Sequence, residues 1–555
     1  MAPFMDVNKS IIKQFARAAL AWCILDFIEK ITDMRKSIFL SMLLLSASLA
    51  WAQQKISGTI YEDSNANGKK ERREKGIPAV AISNGIDVVL TDKDGRYELP
   101  IAEDQTVFVI KPSSHDLPKD ANNIPKFYYI YKPNGSPANM TYPGVRPTGP
   151  LPKALDFGLL PGKNEKEFTG LIFGDPQTYT LDEMEYFKKG IVAHAKQSQG
   201  ITFGASLGDL VGDRPDFFPL YAQAIGQVGP VWYQLMGNHD MNFDAKEDAF
   251  SDESFTANFG PATYAFNYGD VHFVVLEDIL YPDPRDGQGY WGGLRSDQLQ
   301  FLENDLKLVP KDKLVVLLMH IPLFEENGDS FRDADREKIL SLLSPFANTL
   351  SMSAHTHYMK QTFFGKKDGF EGAKPHHHFN IGTPSGDWYS GKIQADGTPE
   401  STMRDGSPKG YVYLDIKGTE YQARYQAAGK PASYQMEIFA PKVLAKGVRT
   451  NASIIVNFFT GAPSDKVRYR INNGEWKAMT HMESYDPTFM LKVFEWDTTE
   501  TVMPGRRPSN PAMTDHLWRA PISSDFPVGE HTIEVEATDM FGQVHRASKK
   551  FRVAQ

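Results

Sequence analysis

Five short apolar runs in the middle of the chain each lead into a side chain that binds cations well, and this repeat restricts the fold more than any other feature. The runs at 169–173, 201–207, 231–236, 314–319 and 349–354 read as strands. They are followed in order by Asp175-Pro176-Gln177, Gly208-Asp209, Gly237-Asn238-His239-Asp240, His320 and His355-Thr356-His357. Carboxylate, amide and imidazole groups gathered at strand ends are what a site for two divalent cations needs. One aspartate can give an oxygen to each cation, and Asp209 is taken as that bridge.

Between the runs, residues 181–199, 217–227, 296–309 and 335–344 repeat apolar positions at three and four, the period of amphipathic helices. Strand–helix alternation over 163–428 predicts a layered α/β unit, in which ligands sit beyond the carboxyl ends of strands. The flanks read differently. Residues 53–161 show short strands at 56–61, 79–83, 87–90, 97–100 and 106–111, and residues 434–555 show them at 452–459, 466–471, 490–493, 530–538 and 547–553. Both are expected to be all-β sandwich modules. The first resembles the small β-sandwich repeats of bacterial surface adhesins, and the second resembles fibronectin type III or immunoglobulin-like modules. The loop 503–513 of the second either reaches the active site or is a plain surface connection.

In the first flank, Asp63, Asn65, Asn67, Gly68 and Glu74 match a calcium-loop spacing at every specified position. The loop lies between strands, so two readings stay open: a structural calcium held by Asp63, Asn65, Asn67 and Glu74, or a polar turn with no ion.

Sixty basic against 69 acidic residues give a net charge of −9, and no long basic run occurs, which argues against a nucleic-acid duplex as partner. Met34-Arg35-Lys36, an apolar run at 37–49 and Ala50-Trp51-Ala52 have the order of a secretory signal with its cleavage site. We therefore expect 34–52 to be a signal peptide, 1–33 a mis-assigned upstream extension, and the mature protein to be secreted, periplasmic in a Gram-negative cell. The competing reading is a cytosolic amphipathic N-terminal helix. The apolar run is too short for a membrane span, and no transmembrane segment is expected in the mature chain. The single cysteine, Cys23, falls in the upstream segment. That excludes a disulfide framework, a cysteine zinc site and a thiol nucleophile from the mature chain.

Taken together, Gly174-Asp175-Pro176-Gln177, Gly208-Asp209, Gly237-Asn238-His239-Asp240, His320 and His355-Thr356-His357 resemble the motif series of the calcineurin-like metallophosphoesterase superfamily. With β modules on both flanks, the arrangement looks like an exported bacterial type of that superfamily. The resemblance implies an αββα sandwich over 163–428 between two all-β sandwich domains. It implies that Asp175, Gln177, Asp209 and His357 hold one metal, and that Asp209, Asn238, His320 and His355 hold the other. The family usually has histidine where this chain has Gln177. A neutral amide oxygen is a harder ligand than imidazole, so manganese or iron is favoured over zinc.

The function this implies is hydrolysis of a phosphate mono- or diester on a phosphorylated small-molecule, lipid or envelope substrate. Two cations roughly 3.5–4 Å apart can clamp a phosphoryl group while a bridging water attacks in line. Asn238 and His239 are expected to contact the phosphate, and His239 to donate to the leaving oxygen. Asp240 either orients that ring or satisfies a turn backbone. Trp388 and Tyr389 are expected to wall the substrate, with 278–291 (Tyr281, Tyr290) as a second rim. Asp213 is read as support for its loop, and His376-His377-His378 as polar edge residues outside the site. The alternative function is an inactive cell-envelope binding protein that works through its β modules. Oligomeric state is not encoded in any of these features.

Overall fold

Strands of valine and leucine buried on both faces, such as Val271–Val275 and Leu314–Leu318, belong to sheets covered on both sides. Two such mixed sheets form the centre of the computed structural model, which describes residues 22, 54–324, 328 and 330–555. The first runs in the order Val231–Leu235, Ile201–Leu207, Glu167–Phe173, Gly410–Lys417, Glu420–Ala427. Its first three strands are parallel, and the last two return antiparallel. The second runs Tyr264–Tyr268, Val271–Val275, Leu314–Leu318, Asn348–Ser353, His376–Asn380, Lys360–Phe364, parallel except at its two edges. The two sheets meet through aromatic rings: Phe203 of the first lies 5.6 Å from Phe266 and 5.2 Å from Phe273 of the second, both edge-on.

Helices cover the outer faces. Leu181–Phe187 begins at a reciprocal cap in which the Thr180 hydroxyl accepts from Glu183 N and the Glu183 carboxylate accepts from Thr180 N. Its Phe187 packs edge-on against Phe173, 6.3 Å away. The helical pattern at 181–199 is broken by a π-helical turn, Lys188–Val192, before Ala193–Ala195. Ser296–Leu308 and Asp333–Leu343 match the expected helices within two residues.

The N-terminal region has two four-stranded sheets, one containing Lys55–Glu62 and Phe157–Pro161, the other Ala81–Ser83 and Gln105–Val109. Phe108 packs on Phe301 of Ser296–Leu308 at 5.6 Å, and Phe127 on Tyr264 at 5.1 Å. One apolar cluster therefore runs without a break from Ile56 through the central sheets to Phe459. The C-terminal sheets, of four and five strands, enclose a separate cluster around Val456, Trp518, Ile533 and Val535.

One expected strand is a helix. Residues 490–493 lie inside Pro487–Thr498, because the Asp486 carboxylate caps Phe489 N, Pro487 sits in the first turn, and Phe489 and Val493, four apart, bury one face. The three histidines expected at an edge are also elsewhere. His376–Asn380 is an inner strand, and all three imidazoles are buried. Apart from Trp22, the expected leader and upstream extension lie outside the described residues. Among the described residues no helix is long and apolar enough to cross a membrane.

Candidate metal centre

Turns after the parallel strands of both sheets carry the polar residues to one place. Gly237 makes this possible on the first sheet: a Cβ there would stand 2.1 Å from Asp209 N. Gly208 does the same between sheets, since its Cβ would stand 2.5 Å from His320 Nδ1. The chain pays for these turns in backbone strain. Among the described non-glycine residues, seven of fourteen with left-handed φ are Gln177, Asp209, Asp213, His355, His357, Trp388 and Tyr389.

Asp209, His320 and His355 offer ligand atoms that all lie within 4.8 Å of one another. His320 Nε2 is 3.4 Å from Asp209 Oδ1, 3.0 Å from Asn238 Oδ1 and 3.2 Å from His355 Nδ1. The other His320 nitrogen donates to the Leu207 carbonyl at 2.7 Å, which fixes the ring. Burial pushes His355 down to about 3, which favours a neutral ring with a lone pair available.

Asp175, Gln177 and His357 form the second group. His357 Nδ1 donates to the Gly386 carbonyl at 2.5 Å, and its Nε2 lies 3.1 Å from Asp175 Oδ2. Asp175 Oδ1 accepts from His355 N at 3.1 Å, and Gln177 N donates to the Asp209 carbonyl at 2.7 Å, tying the groups together. Asp175 Oδ2, Gln177 Oε1 and His357 Nε2 are buried with no hydrogen-bond partner. Orphaned buried acceptors are costly unless a ligand satisfies them. A carboxylate, an amide oxygen and an imidazole fit a cation, and these three are the non-bridging ligands expected for one metal.

His239 stands beside both groups. Its backbone N donates to Asp209 Oδ1 at 2.8 Å, and its Nδ1 meets Asp213 Oδ1 at 2.7 Å. Burial alone would push this imidazole down; the charges of Asp209 and the hydrogen-bonded Asp213 outweigh it and hold it up at about 9. Asp240, offered above as an alternative partner for the ring, does not touch it. Its carboxylate accepts from Gly237 N, Leu210 N and Val211 N, bracing both turns from beneath. Burial and the charge of Asp209 push Asp240 up to about 8 against those donors. Catalytic contact is therefore withdrawn for Asp240, and Asp213 takes the orienting place.

Trp388 stacks on His357 at 4.1 Å and 23°, half-buried at the site's edge. Tyr389, expected to face substrate, is buried, and its hydroxyl donates to the Pro176 carbonyl at 2.5 Å. Left-handed φ at both residues turns the second ring inward. Tyr290 meets His355 edge-on at 6.0 Å. Tyr179 escaped the sequence reading. Its hydroxyl accepts from Gln177 Nε2 at 3.2 Å and lies 3.3 Å from His239 Nδ1. The Thr180–Glu183 capping box, which also takes Tyr179 N onto Glu183 at 2.7 Å, was the available signal.

In the N-terminal loop, Asp63 accepts from Asn67 N and Gly68 N at 3.2 and 2.8 Å. The Asn65 and Asn67 amides turn to Glu71, while Glu74 caps Glu71 N and keeps Oε1 buried and unpartnered.

Two family descriptions match the chain: the N terminal of calcineurin-like phosphoesterase over residues 64–144 and the C terminal of calcineurin-like phosphoesterase over 378–545. The chain belongs to the calcineurin-like phosphoesterase superfamily. In this calcineurin-like chain the matched regions bracket the ligand-bearing strands, and the C-terminal match takes in Trp388 and the C-terminal sheets up to their last strand. No curated protein matches its sequence. Similar solved structures include a purple acid phosphatase, PPD1, from yellow lupin (Lupinus luteus) seeds, at 14% identity and a TM-score of 0.35 over 64% of this chain and 69% of that one. Another is GAP50, the anchor in the inner membrane complex of Plasmodium, at 14% identity and a TM-score of 0.30 over 48% and 86%.

Proposed function

We propose that this chain is a metal-dependent phosphoric ester hydrolase with a dinuclear centre. The observation that carries the reading is the set of orphaned buried atoms on Asp175, Gln177 and His357 beside the convergent Asp209, Asn238, His320 and His355. These seven residues would hold two cations, manganese or iron in preference to zinc, which supply Lewis-acid activation of a phosphoryl group and of water. Asp209 supplies the shared carboxylate. His239, protonated through Asp213, binds the phosphate and gives its Nε2 proton to the leaving oxygen. Bound cations would offset the pull of Asp209 on that ring and leave Asp213 as its anchor. Trp388 and Tyr290 border the approach, one on each histidine side.

The same reading takes 53–161 and 434–555 as β-sandwich modules about the 163–428 unit, supported by paired sheets on each flank. It assigns a calcium to Asp63, Asn65, Asn67 and Glu74, supported by the unpartnered Glu74 Oε1. The order of charge, apolar run and small-residue site in 34–52 supports export. An exported site of this kind would act on sugar, nucleotide, lipid or envelope phosphates.

Metal analysis of the purified protein, with assays of a chromogenic phosphate monoester and diester, tests the reading. Two metals per chain and turnover of one of the esters are expected. Neither metal nor turnover after incubation with manganese, iron and zinc would sink it in favour of an envelope-binding protein.

A further inference from the structure

His357 is held from both sides by groups that lead out of the α/β sheets. Its ring donates to Gly386 O, and the next residue, Asp387, is buried and accepts from Ser509 N at 2.6 Å through Oδ2. Its own carbonyl accepts from Arg404 N at 3.3 Å, and Arg404 O accepts from Ala512 N at 2.9 Å. Two residues beyond His357, Met359 N donates to Asp405 Oδ2 at 2.8 Å. Asp405 is in turn gripped by the C-terminal sheets: His516 Nε2 lies 3.1 Å from the same Oδ2, and Asn457 Nδ2 donates to Asp405 O at 2.8 Å.

The proton positions in this network are determined by its partners. Asn457 Nδ2 also donates to Asp486 Oδ2 at 3.2 Å, so Asn457 Oδ1 is the acceptor facing His516 Nδ1 at 2.8 Å. His516 therefore donates through both nitrogens, to an amide oxygen on one side and a carboxylate on the other. His516, Asp405 and Asn457 are each at most 1% exposed. A buried, fully satisfied charge pair of this kind specifies geometry more than it adds stability.

We propose that the C-terminal sheets are a working part of the metal centre, with His516 and Ser509 as positioning residues that hold His357 in place. This rests on the dinuclear reading above and assigns part of that centre's integrity to residues roughly 150–160 positions after His357 in the chain, where ligand-bearing strands are absent. The family match over 378–545 supports it, since it treats the Gly386–Asp387 turn and the C-terminal sheets as one stretch.

The test is calorimetric titration of the full chain, stripped of metal, with manganese. The unaltered protein takes up two ions. In His516→Ala one of the two sites weakens by roughly 10–100-fold, the usual effect of losing a group behind a metal ligand, while the other is unchanged. His516→Gln, which keeps a donor toward Asp405, recovers part of the loss. Val535→Ala, in the apolar cluster of the same sheets, lowers Tm without changing either site. Where His516→Ala does not fold, Ser509→Pro, which removes the N–H that Asp387 accepts, weakens the same site. Two ions at unchanged affinity in the His516 and Ser509 variants, or equal weakening in Val535→Ala, would overturn the proposal and leave the dinuclear reading standing. No manganese uptake by the unaltered protein would overturn both.

Discussion

His239 turns one ring nitrogen to Asp213, and in the proposed mechanism the other serves the substrate. His239→Ala should leave metal content intact and lower kcat by roughly two to four orders of magnitude, checked by metal analysis and steady-state kinetics side by side. Asp213→Asn keeps the contact and removes the charge, so a smaller fall in kcat with little change in KM is expected; an unchanged kcat would remove Asp213 from the mechanism. The sequence made the ligand types legible because each follows an apolar strand. It could not tell which aspartate faces the ring. Asp240 is the neighbour in sequence, but the turn sends its carboxylate down to three backbone N–H groups, while a left-handed φ at Asp213 brings a residue 26 positions earlier up to Nδ1.

At the scale of strands, the buried run His376-His377-His378 has a measurable signature. Each ring is satisfied by neighbours: His376 by Ser351 and Thr349, His378 by Ser351 and Ser353, His377 by Tyr421 and Gln361. Burial pushes His376 and His377 down to about 3. Both are neutral in the fold, whereas the unfolded chain takes up protons as pH drops below about 6.5. Stability is therefore complete above that pH and declines toward pH 3, by about 1.4 kcal/mol per pH unit for each such ring. A urea-unfolding series from pH 7.5 to 4.5 should show this slope, and His377→Gln should flatten it. The sequence reading placed the triplet at an edge because polarity usually marks exposure. Serine and threonine hydroxyls on the adjacent strand reverse that rule here, and such cross-strand partners are set by register, which periodicity does not reveal. Residues 490–493 misled for a related reason: four residues cannot distinguish a strand from one helical turn, and the Asp486-Pro487 cap decided it.

For the whole molecule, one apolar cluster joins the N-terminal sheets to the central pair. Calorimetry should find residues of both regions unfolding in a single transition, and Phe203→Ala, at the contact between the central sheets, should lower stability by roughly 3–5 kcal/mol. A separate transition for the N-terminal sheets would contradict this. The α/β alternation, and five of the eleven strands of the two central sheets, were readable from apolar runs and periods alone. The contacts that reach the site from the flanks were not, because they join residues more than 50 positions apart whose meeting no local pattern records. Tyr142, from the N-terminal region, donates to Asp213 O at 3.2 Å.

The left-handed residues around the centre also limit how far the chain can be improved. Exchanging residues with positive φ for glycine is a common route to a sturdier protein, since it relieves strain of order 1–3 kcal/mol at each position. At Gln177, Asp209, His355 and His357 that exchange would delete the side chain the strain exists to aim. Consensus redesign or laboratory selection for heat resistance would thus find its gains in the distant turns, such as Ala66, Ala79 and Asn472, while the segment from Gln177 to Tyr389 resists it.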